Sequence, residues 1–156
     1  MKEYKISDFI YKIGLNIECQ EKFECLEKMA KEVAETVNLD PDYVYSLLKA
    51  REKFGSTALG GYFALPHAKI PELDRVVGAL FTTKNPIDFG SLDDLPSQIF
   101  FVVLAPSQKP SILLKAVAKV AKIFKDGKLK ENILKAKDER EVLNLIKEKE
   151  RELQKV

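Results

Sequence analysis

Residues 51–68 read REKFGSTALGGYFALPHA, and this stretch organises the rest of the chain. It begins where a helical pattern ends, passes through a run of small residues and finishes on a short apolar segment closed by Pro66 and His67. His67 is the only histidine in the protein. The small residues are Gly55, Ser56, Thr57, Ala58, Gly60 and Gly61, and Arg51 stands just upstream. Glycines let backbone N–H groups approach an anion closely. A lone imidazole beyond such a loop, with a guanidinium nearby, is an arrangement suited to carrying a phosphoryl group.

The flanking chain gives that stretch its setting. Asp40 and Pro41 start a helix: aspartate accepts the free N–H groups of a first turn, and proline has no N–H to leave unpaired there. Val44, Leu47, Leu48 and Arg51 share one face of it, so Arg51 is expected to continue the buried stripe, as a surface-reaching arginine, a structural ion pair or a site residue. Residues 20–38 form an earlier helix, with Phe23, Leu26, Met29, Ala30, Val33 and Val37 recurring three or four apart. Before it, the alternation at 15–17 suggests a strand. After it, 55–61 is a glycine-rich turn and 62–65 a short strand. Pro66 is expected to stop that strand from continuing as a central one, which places His67 just past a strand end.

Further on, 75–83 is a strand candidate and 84–96 a loop. Residues 98–105, QIFFVVLA, are the most apolar run and read as a buried strand. Helices are expected over 110–125, with Leu113, Val117, Val120, Ala121 and Phe124 inward and Lys115, Lys119 and Lys122 outward, then over 131–137 and 138–154, with Asp138 as a cap. Alternating helices and strands imply an α/β fold, a mixed sheet with helices packed against it.

Composition excludes several classes. The 156 residues suit one domain spanning the chain. No apolar run approaches the ~20 residues of a membrane helix. The N-terminal segment is too charged for a signal peptide, so a cytoplasmic protein is expected. A formal charge of +2 is too small to imply nucleic acid. Cys19 and Cys25, six residues apart, fit neither a redox nor a zinc spacing, and no disulfide framework is expected.

The central stretch also carries a resemblance. Glu52, six residues, Leu59-Gly60, two residues, then Phe63-Ala64-Leu65-Pro66-His67-Ala68 resembles the phosphorylation-site signature of the fructose/mannitol-type enzyme IIA family of the bacterial phosphotransferase system, which includes nitrogen-regulatory IIA-like proteins. Arg51 and the Gly55-Ser56-Thr57 triplet match as well; Phe63 stands where the family usually has an aliphatic residue. The resemblance runs from about Ile6 to the C-terminal helices. It implies a single domain with a sheet of about five strands between helical layers, and a phosphohistidine intermediate at His67. Arg51 would steady the phosphoryl group, with Gly55, Ser56, Thr57 and Gly60 in the supporting loop: backbone N–H groups throughout, and a hydroxyl from Ser56 or Thr57. The donor in the family is an HPr-like phosphocarrier protein, and the phosphoryl group passes to a IIB protein or marks a regulatory state. No cofactor, metal, nucleic acid or membrane insertion is implied.

Many members carry a second histidine facing the first, at the start of the helix after the sheet. Here that position is Leu113. Two functions follow as expectations. One is a phosphocarrier, serving sugar transport or nitrogen regulation, the free-standing length favouring the regulatory type. The other is a protein-binding regulatory module with weak or no transfer.

Overall fold

The computed structural model describes residues 5–154. A 3-10 turn (Ile6–Phe9) leads into β1 (Ile10–Ile17), α1 (Lys22–Thr36) and α2 (Pro41–Lys53). Then come β2 (Ala58–Gly60), β3 (Phe63–Ala64), β4 (His67–Ile70), β5 (Val77–Ile87) and β6 (Ser97–Pro106), followed by α3 (Pro110–Ile123), α4 (Gly127–Lys135) and α5 (Glu139–Gln154). Carboxylates start most of the helices. Glu21 accepts from the N–H groups of Phe23 and Glu24, Asp40 from Tyr43, Asp126 from Lys128 and Leu129, and Asp138 from Glu141. Each satisfies first-turn donors that have no partner within the helix. The Asp126 cap begins α4 at Gly127, four residues before the expected start at 131.

The strands form one mixed sheet in the order β1-β5-β6-β3-β2, with β4 also paired to β6. β1 runs parallel to β5, β5 antiparallel to β6, and both β3 and β4 parallel to β6. Phe63 pairs with Ile99 and His67 with Val103, the same offset, so β3 and β4 are two halves of one strand. The sheet is therefore five positions wide.

Side chains alternate across β6, and this alternation sorts the interior into two cores. Phe100, Val102 and Leu104 join Leu26, Met29, Val33, Val44 and Leu48 of α1 and α2. Ile99, Phe101, Val103 and Ala105 join Leu113, Ala116 and Val120 of α3 with Leu129, Ile133, Val142 and Ile146 of α4 and α5. A strand covered on both faces has no polar side to show, which is why β6 reads as a continuous apolar run.

Three expectations change. Pro66 does not end its strand: the Pro66 carbonyl accepts from the Val103 N–H at 2.9 Å, and pairing resumes at His67 without a slip. Only one ladder donor is missing, so the register survives, and His67 opens β4 rather than lying beyond a strand end. β5 extends through 84–87, placed in a loop from the sequence; the register shift after Thr82 lets Asn85 and Pro86 sit in an irregular strand end. Cys19 and Cys25, expected to be unpaired, are joined in a disulfide with Cα atoms 5.3 Å apart. The turn between β1 and α1 brings Cys19 back against the second residue, and both are buried.

Gly78 marks a tight approach on β5. An added Cβ would stand 2.8 Å from a ring atom of Phe101 and 2.9 Å from one of Phe9. These two rings meet edge to face at 6.3 Å. Gly78→Ala should therefore lower the free energy of unfolding by about 1–3 kcal/mol, read from urea midpoints. Gly127→Ala, where an added Cβ meets nothing within 4 Å, should leave the midpoint unchanged or slightly higher. An unshifted midpoint in Gly78→Ala would show that the two rings give way at no cost.

Candidate functional site

The site is assembled at the C-terminal end of α2. Val44 and Leu48 are buried, and the next residue along that stripe is Glu52, 3% exposed. Arg51, expected to continue the stripe, is half-buried beside it instead. A buried carboxylate needs partners for its oxygens, and Glu52 has them. Its Oε2 accepts from the Thr57 N–H at 2.7 Å and stands 3.0 Å from Lys22 Nζ; its Oε1 accepts from the Thr57 hydroxyl at 2.6 Å. Lys22, in the first turn of α1, also donates to the Phe89 carbonyl at 3.2 Å. The Ser56 hydroxyl donates to the same carbonyl at 2.5 Å and accepts from the Ala58 N–H at 3.0 Å.

Thr57, so clamped, stands opposite the edge of the sheet. Its carbonyl accepts from the Leu65 N–H at 3.0 Å. The Leu65 carbonyl in turn is 2.8 Å from His67 Nδ1. A carbonyl can only accept, so Nδ1 carries the hydrogen and the neutral imidazole keeps its lone pair on Nε2. His67 pairs with Val103, and paired residues point to the same face, so His67 lies on the α3 side of the sheet. Leu113, buried at 6%, belongs to the apolar cluster on that side. Its neighbourhood supplies no second imidazole.

The loop is less free than its composition suggests. The Gly55 N–H donates to the Glu52 carbonyl at 3.2 Å, and the Gly55 carbonyl accepts from an Arg51 guanidinium nitrogen at 3.0 Å. Both loop hydroxyl protons, of Ser56 and Thr57, are donated within the protein. Of the N–H groups at 54–58, those of 54, 55, 57 and 58 are engaged, and among the described residues only that of Ser56 has no partner. Gly60 and Gly61 serve a different purpose. With Tyr62 they make the β2–β3 turn, at φ 86°, 60° and 68°. Gly60 pairs with Phe63, four residues or about 13 Å up the strand from His67. Hydrogen bonds thus link Thr57 to His67 through Leu65 and Arg51 to Gly55, while Gly60 lies at the far end of β3. Among the described residues, no group of three or more His, Cys, Asp or Glu is placed to hold a metal ion, and no helix is long and apolar enough to cross a membrane.

The electrostatics of His67 follow from this setting. Burial pushes the imidazole below its ordinary 6.5. The hydrogen bond to Leu65 opposes that, the Arg51 charge lowers it further, and the Glu52 carboxylate raises it; the net direction is down. The ring is therefore neutral at pH 7.

A family model described as "Phosphoenolpyruvate-dependent sugar phosphotransferase system, EIIA 2" matches residues 10–149. A nitrogen regulatory protein of Bradyrhizobium diazoefficiens is 31% identical over 125 residues, covering 80% of this chain and 82% of its own. The crystal structure of nitrogen regulatory protein IIA-Ntr from Neisseria meningitidis superposes with a TM-score of 0.83 at 25% identity, covering 90% of this chain and 98% of that one. Enzyme IIA of the Escherichia coli mannitol system, solved in complex with phosphorylated enzyme IIB, has a TM-score of 0.71 at 19% identity over 86% of this chain and 92% of its own, and shares the fold.

The lowered imidazole carries a consequence for stability. Between the native value and about 6.5 the unfolded chain binds more protons than the folded one, so stability rises with pH across that window and is complete above it. An NMR titration of the single histidine should place its midpoint below 6.5, and urea midpoints should climb over the same interval. A native midpoint at or above 6.5 would contradict the burial described here.

Proposed function

The chain belongs to the EIIA 2 family of the phosphoenolpyruvate-dependent sugar phosphotransferase system, and on that premise we propose that it accepts a phosphoryl group on Nε2 of His67. The observation that carries this reading is the Nδ1–H···O=C contact with Leu65, which leaves Nε2 as the sole ring lone pair. Arg51, held by the Gly55 carbonyl, keeps further N–H groups for the phosphoryl oxygens. The Ser56 N–H is the loop donor left for them, so the supporting loop acts mainly by its shape.

The donor is the phosphohistidine of an HPr-like phosphocarrier protein. In the transfer, a P–N bond forms at His67 Nε2 as the P–N bond at the donor breaks and its electron pair returns to the donor nitrogen. Nδ1 keeps its proton throughout, and its hydrogen bond stabilises the positive charge that develops on the ring. The neutral ground state is ready at pH 7 because burial and Arg51 disfavour the imidazolium.

The onward partner is a IIB-type protein or a regulatory target. The mannitol-system neighbour, seen with its phosphorylated IIB, supports the first. The relatives named nitrogen regulatory protein support the second, and we favour it. Leu113 points the same way. An apolar side chain on the His67 face offers the phosphoryl group no donor, so the phosphorylated form is less stabilised than with a second histidine there, and output through protein binding gains weight over onward transfer.

Incubation with a phosphorylated HPr-type carrier should give acid-labile phosphate on the wild-type protein and none on folded His67→Ala; labelling retained in that variant would remove His67 as the acceptor. Arg51→Lys keeps the charge but loses the planar fork. It should slow acceptance about 30- to 1000-fold, the effect of ~2–4 kcal/mol in the transition state. Acceptance at the wild-type rate would make Arg51 structural.

A further inference from the structure

The carboxylate at position 52 is costly to keep where it is. Desolvating an ion pair costs several kcal/mol per charge, and an apolar residue would continue the Val44–Leu48 stripe without that cost. Glu52 is nonetheless 3% exposed, and the Lys22 ammonium that balances it comes from a different helix. The hydrogen bonds of Glu52 lead one way. Both Glu52 oxygens hold Thr57, by its N–H and its hydroxyl. Thr57 holds the Leu65 N–H. The Leu65 carbonyl holds the Nδ1–H of His67. Leu65 is thus held at its N–H by Thr57 and used at its C=O as the ring acceptor.

We propose that Glu52 and Lys22 are positioning residues for His67, a buried ion pair that acts through Thr57 and Leu65 to keep the imidazole in the Nδ1–H tautomer with Nε2 facing outward. Neither residue touches the phosphoryl group. An imidazole without a fixed acceptor exchanges between its two tautomers and two ring orientations, and only one combination offers Nε2 as the nucleophile. A hydrogen bond weakens steeply as its geometry degrades, so a small displacement of Thr57 is enough to release the ring. Lys22 matters because it neutralises Glu52. Without it the carboxylate would be a buried charge with no counter-ion and would draw water into the junction, where water competes for the oxygens that hold Thr57. Lys22 also donates to the Phe89 carbonyl, which the Ser56 hydroxyl shares, so the same ammonium bears on Ser56 as well as on Thr57.

The inference rests on the phosphoacceptor reading for its significance, but its primary test does not use phosphate. In the unphosphorylated protein above the His67 midpoint, long-range 1H–15N spectra report the tautomer of the single imidazole directly. Wild type should show Nδ1–H. Glu52→Leu and Lys22→Met should show a mixture. Thr57→Val, which deletes only the hydroxyl contact and keeps the shape, should show a smaller shift toward the mixture, and Thr57→Ser should restore the wild-type spectrum. Phosphoryl acceptance from the carrier should fall about five- to tenfold in Thr57→Val, in kcat and not in KM for the carrier, as expected for losing one oriented hydrogen bond that acts on the ring. Should Glu52→Leu fail to fold, the Thr57 pair and Lys22→Met decide. An Nδ1–H tautomer unchanged in folded Thr57→Val and Lys22→Met would overturn the positioning role. A wild-type protein that takes no phosphate but shows the predicted tautomer changes would overturn the phosphoacceptor reading and uphold this one.

Discussion

A carboxylate buried at the end of a helix constrains everything that packs around it. Glu52 closes the apolar stripe of α2, faces the first turn of α1 through Lys22, and accepts from the turn that leads into the sheet. Removing either partner would leave an uncompensated buried charge, a loss of order 3–5 kcal/mol. The pair therefore fixes where α1 sits relative to α2, and both relative to the β2–β3 edge. It also draws in the β5–β6 connection, because Phe89 supplies a carbonyl to Lys22 and to Ser56 and its ring lies 4.8 Å under the same ammonium. Four separate segments of chain meet at one salt bridge.

The sheet contributes the other half of the geometry. Because β3 and β4 share one offset on β6, His67 is held at a defined level against Val103 and on a defined face. That face is the one packed by α3, so the imidazole is partly covered from the side of Leu113, while the charges of Arg51 and Glu52 come from the end of α2, which packs on the opposite face. The ring sits where the two layers meet around the sheet edge. Burial from one layer and charge from the other both act on its protonation, and β2, which pairs only with β3, leaves the outer side of β4 free among the described residues.

How much of this could be read in advance varies with the kind of pattern. β6 was legible because a strand covered on both faces has no polar positions, and the 20–38 helix because Leu26, Met29, Ala30 and Val33 recur at helical spacing. Asp40-Pro41 and Asp138 announced their helices through capping chemistry. His67 stood out through its uniqueness and the surrounding signature. The role of Glu52 is not legible: a charged residue on a helix is ordinarily solvated, and Arg51 fits the inward place beside Leu47 and Leu48 as well as Glu52 does. The signal that could have found it was spacing, since 44, 48 and 52 are four apart whereas 51 is offset. The glycine loop misled in the opposite direction. Gly60 and Gly61 are needed for a turn at positive φ, not for an anion, and composition does not distinguish the two uses. The start of α4 and the resumption of the strand after Pro66 depend on Asp126 and on the Val103 N–H, tertiary partners that local sequence does not reveal.

The disulfide between Cys19 and Cys25 encloses Glu21 and Lys22, the cap and the first residue of α1. Closing so short a loop withdraws little entropy from the unfolded chain, roughly 2 kcal/mol on a chain-entropy view, so its effect on global stability is modest. Helix ends are where a folded protein opens first, by local fraying that leaves the rest intact. Here the fraying end carries the ammonium that neutralises Glu52. A covalent tie across that turn restricts the sub-global openings in which Lys22 would leave, and so lengthens the time the carboxylate spends paired. The crosslink is best understood as a brake on one small excursion, placed where that excursion would reach the histidine.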